Sequence, residues 1–241
     1  MGLHTAEAIV LRRYPFRETS VTLSCLTDRF GKIKGLVKGL RAQPSKYRSA
    51  MEPLTVNRIV FYDTRTSQLH LISQCDLLDP LDTLQQDLGV ARLAALCSEI
   101  VDTIVPAEEP QPMIYRLFKQ TLERLAVGAG DLSTVRIHFI VRLLKLAGFH
   151  PQLHECAACR TVVHEAGHWS AREGGLLCAN CLHDDPRAEP AAPATLDALA
   201  ALSDAAQPFA LDPAILPVLR ERLDEFLRWR LDRPLKTLAA A

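Results

Sequence analysis

Within the first 80 residues, short apolar segments are separated by turn signals, and in some of them apolar and polar residues alternate with the period of two that is typical of β-strands. Val21, Leu23 and Cys25, for example, are each separated by one small polar residue. The pattern predicts five short strands separated by turns, over residues 6–13, 21–25, 32–38, 54–62 and 69–75. Five strands without intervening helices favour a small closed or nearly closed β-barrel.

From about residue 80 onward, apolar residues recur at the spacing of amphipathic helices. The first predicted helix covers residues 81–104, and the second begins near Pro112 and ends at Gly128. A third helix is predicted from a Ser133 N-cap to a terminating Gly148. The acidic residues in and between these helices are expected to lie on solvated faces: Glu99, Asp102, Glu108, Glu109 and Glu123.

Two further helices are predicted near the C-terminus, over residues 195–206 and from residues 213–217 to Leu231. They follow a Pro/Ala-rich connection, residues 184–193, which we expect to be extended or loosely ordered. We therefore predict an α+β protein of two domains: residues 1–79 form the barrel and residues 80–241 a helical domain. A cysteine-rich module, residues 150–184, is inserted in the second.

Two Cys-x-x-Cys pairs, separated by 18 residues, carry the most specific spacing in the chain. This arrangement is typical of a four-cysteine zinc site. Four thiolates satisfy the tetrahedral preference of Zn²⁺ and leave no open position for an activated water. The pattern predicts one structural zinc ion held by Cys156, Cys159, Cys178 and Cys181.

Two disulfides, or redox-active pairs of the thioredoxin kind, would also use four cysteines. A thioredoxin-like pair follows a buried strand and opens a helix, whereas the residues before both pairs here predict turns. Trp169 is expected to pack within the module. We interpret the neighbouring histidines as bystanders: His154, His164, His168 and His183.

The other three cysteines, Cys25, Cys75 and Cys97, lie in apolar patterns and are interpreted as buried thiols of a reducing cytoplasm. The sequence has neither an apolar run of membrane-spanning length nor the pattern of a signal peptide. It shows no paired carboxylates, no nucleophile–base constellation and no phosphate-binding glycine loop. We therefore expect a cytoplasmic binding protein and not an enzyme.

The formal net charge is zero, but the charge is unevenly distributed. Residues 1–50 contain 10 Lys and Arg against 3 Asp and Glu, a balance of +7. A region this basic indicates a polyanionic partner, with nucleic acid the leading candidate.

The third predicted strand places its lysines on one face, because side chains alternate across a strand. Lys32, Lys34 and Lys38 point one way, and Ile33 and Val37 point the other. The following loop adds basic residues with a tyrosine between them, and the first strand ends in a basic and aromatic segment. Such a surface is typical of sequence-indifferent binding of single strands, although an ordinary solvated edge would also carry lysines.

Several segments together resemble the RecO family of bacterial recombination mediator proteins. The matching segments are residues 13–20 (RYPFRETS), 27–32 (TDRFGK), 37–41 (VKGLR), 45–48 (SKYR), 51–53 (MEP) and 146–151 (LAGFHP). Their order and spacing span nearly the whole chain.

The resemblance implies an N-terminal OB-fold, a central helical domain and a zinc-ribbon-like insertion. It also implies binding of single- and double-stranded DNA, annealing of complementary strands, and assistance to RecA in loading onto strands coated by single-strand-binding protein (SSB), with RecR as a partner. The implied DNA contacts are Lys32, Lys34, Lys38 and Arg41, with Lys46, Arg48 and Arg12 as outer contacts.

Two other classes of function remain open from the residues alone. One is an OB-fold adaptor that binds RNA or the ribosome, and the other is a thiol-redox protein that uses its cysteine pairs.

Overall fold

The computed structural model describes residues 2–42, 47, 49–64, 69–163, 167–231 and 233–239. The chain divides into two compact units, residues 1–129 and residues 130–241. The first two helices thus group with the barrel, whereas the division predicted from the sequence, at residues 79 and 80, stays a prediction.

Five strands of the first unit form a closed barrel in the order β1-β2-β3-β5-β4. Their bounds are β1 Leu3–Phe16, β2 Ser20–Thr27, β3 Gly31–Val37, β4 Val56–Tyr62 and β5 Leu69–Asp79. β1 closes the barrel by pairing with both β2 and β4, and β3 and β5 form the one parallel pair among the described strands. The predicted five-stranded barrel is confirmed.

Alternation along the strands fills the barrel interior with apolar side chains, among them those of Leu23, Ile33 and Phe61. Gly35 shows how tight the interior is, because a Cβ atom there would lie 2.3 Å from the Cδ1 atom of Ile72. Tyr47 is also part of this core, and its hydroxyl donates a hydrogen bond to the carbonyl of Lys38 (2.6 Å).

Two helices complete the first unit: α1 Leu88–Ile104 and α2 Pro112–Ala126. The predicted start of α1 at residue 81 is wrong, because Leu81 has left-handed backbone (φ 49°) and leads into a short 3-10 helix, Asp82–Gln85. Asp87 then caps α1 by accepting a hydrogen bond from the amide of Val90 (2.9 Å).

The second unit contains α3 Leu132–Leu146, α4 Pro193–Asp204, α5 Leu216–Arg230 and the short α6 Lys236–Ala239. The predicted Ser133 N-cap is wrong, because Asp131 caps α3 by accepting from the amide of Thr134 (2.8 Å). The predicted terminating glycine is confirmed: Gly148 has φ 80° directly after the C-cap of α3. A buried ion pair between Arg136 and Asp224 joins α3 to α5.

A three-stranded sheet in the order β7-β6-β8 accompanies these helices. It consists of β6 Gly167–Ser170, β7 Gly175–Leu177 and β8 Glu189–Ala191. Part of the Pro/Ala-rich connection is extended, one of the two expected forms, since it forms β8, which pairs with β6. Trp169 is buried, but its ring centroid lies 6.0 Å from that of Phe226 in α5, so it also packs outside the cysteine module in which it was predicted to pack.

Among the residues described, no helix combines the length and the apolar character that crossing a membrane would need.

Candidate nucleic-acid interface and candidate metal centre

The outer face of the barrel carries the basic residues predicted for β3. Ile33 and Val37 are buried, Lys34 is exposed, and Lys38 is exposed directly after the strand ends. The predicted alternation is therefore confirmed, and this face meets solvent because buried ammonium groups would be too costly.

Lys38 and Arg41 lie near the turn between β1 and β2. The backbone amide of Arg41 donates to the carbonyl of Thr19 (2.9 Å), and its guanidinium donates to the carbonyl of Arg17 (3.3 Å). Arg17 is itself exposed, so the structure adds a third cation to this end of the barrel. Sequence reasoning did not select Arg17, although it lies within the segment RYPFRETS that carries the family resemblance.

Arg12 and Lys32 face α1 instead. The Nε atom of Arg12 lies 2.6 Å from a carboxylate oxygen of Asp102, and the ammonium of Lys32 donates to the Asp102 carbonyl. The Ser24 hydroxyl also donates to the Asp102 carboxylate (2.7 Å). Burial lowers the pKa of Arg12, but hydrogen bonding to Tyr14 and the charge of Asp102 raise it by more, so the net pKa is raised.

The interpretation of Asp102 and Glu99 as a solvated face is wrong. Their side chains are only 18% and 11% exposed, and both lie within 4 Å of the guanidinium of Arg12. The helical spacing of the sequence could not show which acidic residue would meet the barrel, because that depends on how α1 packs against β1.

Two other predicted contacts, Lys46 and Arg48, lie outside the described residues. Tyr47, expected between them as a stacking partner, is only 8% exposed and belongs to the barrel core. Tyr14 on β1 is instead the exposed aromatic beside the basic residues, at 49% exposure. A cavity of about 380 Å³ opens there, lined by Tyr14, Thr22, Leu23, Ser24, Lys34 and Leu69.

The four cysteines of the second unit converge on one point. Their sulfur atoms all lie within 4.8 Å of one another, and those of Cys159 and Cys178 are 3.8 Å apart. Four Zn–S bonds of about 2.3 Å in a tetrahedron would place the sulfurs about 3.8 Å apart. The arrangement is suited to one metal ion with four thiolate ligands, as the sequence predicted.

Local hydrogen bonds form the two turns that present these sulfurs. The amide of Arg160, a residue with left-handed backbone (φ 64°), donates to the carbonyl of Cys156 (2.9 Å). The amide of Cys181 donates to the carbonyl of Cys178 (3.1 Å). Hydrogen bonds from the side chain and backbone of Thr161 lower the pKa of the Cys159 thiol to about 6, which favours the thiolate that a metal needs.

The geometry also bears on the alternatives to a four-cysteine metal site, which are two disulfides, redox-active pairs or a histidine ligand. All seven cysteines are free, and neither Cys156 nor Cys159 lies in or opens an α-helix. The prediction of a turn directly before the second pair is wrong, because Cys178 follows the buried strand β7 and precedes a short 3-10 helix, Ala179–Asp184. In the part of the chain that the structure describes, no histidine joins the group of four cysteines. His164 lies outside that part.

Comparison with known proteins places the chain in a family. A family model described as "Recombination protein O N terminal" matches residues 1–81, and one described as "Recombination protein O C terminal" matches residues 85–239. The chain belongs to the RecO family. The N-terminal RecO model ends two residues after β5, so it covers the whole barrel, which is the OB-fold that the family resemblance implied.

Individual RecO proteins are similar over most of their length. A protein of Moorella thermoacetica named DNA repair protein RecO is 31% identical over 244 residues, covering 99% of this chain and 90% of its own. Proteins of the same name from Koribacter versatilis and an Anaeromyxobacter species are 32% and 30% identical. Their alignments cover 74% and 94% of this chain and 72% and 91% of those proteins.

Proposed function

We propose that the protein is a recombination mediator in DNA repair. It binds single- and double-stranded DNA without sequence specificity, anneals complementary strands and, with RecR, assists RecA in loading onto strands coated by SSB. It acts by binding and not by catalysis, in the cytoplasm and at the nucleoid. The observation that carries this proposal, beside RecO membership, is the group of exposed cations Lys34, Lys38 and Arg41 on one barrel.

The charges of these three residues are available to a polyanion. Among the described carboxylates, none lies within ion-pair distance of Lys34, Lys38 or Arg41. An ammonium on a phosphate is a point contact that carries no base information, so such a surface binds all sequences alike. Each neutralised phosphate of a single strand adds about 0.7 to the slope of log affinity against log salt.

Annealing follows from the same contacts. Two complementary strands repel each other through their phosphates, and a shared basic surface lowers that repulsion while leaving the base edges unread. Arg12 and Lys32, already engaged by Asp102, are expected to contribute less than Lys34 and Lys38 to this neutralisation.

The test is annealing of complementary oligonucleotides by the purified protein, with and without SSB. We expect the wild type to accelerate annealing and the double variant Lys34→Glu/Lys38→Glu to lose most of that acceleration. The matched control is Arg92→Glu/Arg116→Glu, which makes the same change in net charge at exposed positions of α1 and α2. Equal loss in both variants, or in neither, would contradict the assignment to the barrel face.

A comparison of single-stranded DNA with RNA of the same length and sequence separates this function from that of an RNA adaptor. Contacts to phosphates alone should give similar affinities for both. A site built for RNA would depend on the 2′-hydroxyl and prefer RNA strongly.

We also propose that the cysteine group binds one structural zinc ion. Four thiolates close the coordination sphere, so the ion would hold the two turns together and activate no water. Metal analysis of the purified protein should give one zinc per chain, released by a thiol-reactive mercurial. Metal-free protein with two disulfides would contradict this assignment.

A further inference from the structure

The outward positions of β2 are occupied by small hydroxyl residues, Ser20, Thr22 and Ser24, whereas Leu23 and its inward neighbours fill the core. Larger side chains stand on both neighbouring strands. On β1, Tyr14 pairs with Thr22 and Phe16 with Ser20, and on β3, Lys34 pairs with Ser24. Small residues between two rows of large ones leave a groove along β2, whose cavity is the one described above. We call it the β2 groove.

The two walls of the β2 groove differ in chemistry. The β1 wall is aromatic, and Tyr14 is held in place because the guanidinium of Arg12 donates to its hydroxyl (3.5 Å) while Asp102 holds Arg12 (2.6 Å). The β3 wall carries Lys34 at the cavity, Leu36 opposite Thr22, and Lys38 just beyond the end of the strand. An apolar ring opposite two cations matches a ligand whose flat bases alternate with anionic groups.

We propose that the β2 groove is a nucleobase subsite, in which a base of single-stranded DNA stacks on Tyr14 while Lys34 and Lys38 neutralise the adjoining phosphates. The inference rests on the proposed DNA-binding function and deepens it. Stacking on an aromatic ring tolerates every base, so the subsite adds affinity for single strands without adding sequence preference.

The spacing of the aromatic wall favours an unstacked strand over a duplex. Tyr14 and Phe16 are two residues apart, and a strand rises about 3.3 Å per residue, so the rings lie roughly 6.6 Å apart along the strand. Successive bases of a duplex are about 3.4 Å apart. A DNA single strand drawn out to about twice that spacing can place one base on Tyr14 and the next beside Phe16, whose ring is also contacted by the guanidinium of Arg17 (5.4 Å).

The two ends of the β2 groove differ in charge, which limits the path of the strand. At Ser24 the groove meets the carboxylate of Asp102, which offsets the charge of Arg12 and leaves this end less attractive to phosphates. At Ser20 it opens toward Lys38, Arg41 and Arg17. The bound DNA strand therefore lies over the basic end of the groove, at Ser20, and leaves the barrel before it reaches α1.

The test uses two probes of equal length and charge: a single strand of thymidine nucleotides and a fully abasic strand. The wild type should bind the thymidine strand at least about tenfold more tightly, and Tyr14→Ala should lose roughly that factor for the thymidine strand and nothing for the abasic strand. Tyr14→Phe keeps the ring but loses the hydrogen bond from Arg12, so it should retain most of the preference for the thymidine strand. Tyr62→Ala, which removes an exposed tyrosine of β4, should bind like the wild type.

The outcomes separate this subsite from the proposed function. If the wild type binds neither probe, DNA binding itself fails and the subsite with it. If the wild type binds both probes equally, or if Tyr14→Ala weakens both probes to the same extent, DNA binding stands and the nucleobase subsite is overturned.

Discussion

The cysteine module and the outer face of the barrel differ in how their functional side chains are arranged. In the module, four side chains point at one centre, with sulfurs within 4.8 Å of one another. On the barrel, the basic side chains spread over a surface, and Arg12 and Lys32 are bound by Asp102 while Lys34 and Lys38 are not. A convergent group suits a compact ion, and a dispersed group suits an extended polyanion.

This difference shows which features of a functional site a local sequence pattern can predict. The ligand spacing of the module is a short-range property, so two Cys-x-x-Cys pairs predict the group directly. How much each lysine on the barrel can contribute to DNA binding depends on which helix packs beside it. Lys32 and Lys34 are two residues apart on one strand face, yet only Lys32 meets an acidic helix.

The largest effect is expected in the module. Cys159→Ser removes one of the four proposed metal ligands, and zinc binding supplies on the order of 10–16 kcal/mol to the folding of small zinc modules. We expect zinc loss and a fall in Tm of at least roughly 10 °C by calorimetry. The control is His183→Ala, an exposed neighbour that should keep both metal and Tm. A zinc-free Cys159→Ser protein with the wild-type Tm would contradict the structural role of zinc in the module.

The next largest effect is expected at the ion pair between Asp102 and Arg12 on the outer face of the barrel. Asp102→Ala leaves the partly buried guanidinium of Arg12 without its closest partner, and we expect a loss of about 2 kcal/mol in the free energy of unfolding by denaturant titration. It also frees a cation, so affinity for single-stranded DNA should rise. Glu109→Ala, at an exposed carboxylate after α1, is the control for net charge. Unchanged stability would show that the carboxylate does not hold Arg12.

A smaller effect separates neighbouring lysines. Lys34→Ala should weaken binding of single-stranded DNA roughly fivefold at 0.1 M salt and reduce the salt slope by about 0.7, because one phosphate contact is lost. Lys32→Ala should change neither quantity by as much, since its ammonium is engaged by the carbonyl of Asp102. Equal losses measured by fluorescence anisotropy would show that the two lysines serve DNA equally.

The smallest effect is a pH dependence in the first unit. Burial raises the pKa of Glu7, but hydrogen bonds from Lys119 and Tyr115 and the charge of Lys119 lower it by more, so it lies below the ordinary value of 4.5. A lowered pKa means that the stabilisation is present above that value and is lost as the pH falls through the folded pKa. Glu7→Gln should therefore flatten the decline of Tm below about pH 4.5. An unchanged decline would assign it to other carboxylates.

Much of the architecture could be predicted because it depends on short-range patterns. Alternation in β2 and β3 predicts strands and assigns their inner faces, since a one-residue shift would expose the whole apolar set. Gly148 ends α3 as predicted, because a left-handed residue after a helix favours glycine. Helix starts were less predictable: both Asp131 and Ser133 are good caps, and only the observed hydrogen bond to Thr134 distinguishes them.

β8 is an example of strand pairing that the local pattern could not predict. Its residues, Glu189–Ala191, include a proline and lie in a Pro/Ala-rich connection. They become a strand because β6 offers an edge for pairing, which no local propensity records.

By itself, the sequence determined the barrel, the positions of most helices, the four cysteines of the candidate metal centre and the basic character of the first 50 residues. Each of these depends on residue type and on spacing along the chain. Only the tertiary structure decided which charges of that basic region remain open to a ligand. Asp102 is about 70 to 90 residues from Arg12, Ser24 and Lys32, and packing of α1 against the barrel brings them within hydrogen-bond distance. Long-range packing of this kind leaves no periodic signal in the chain.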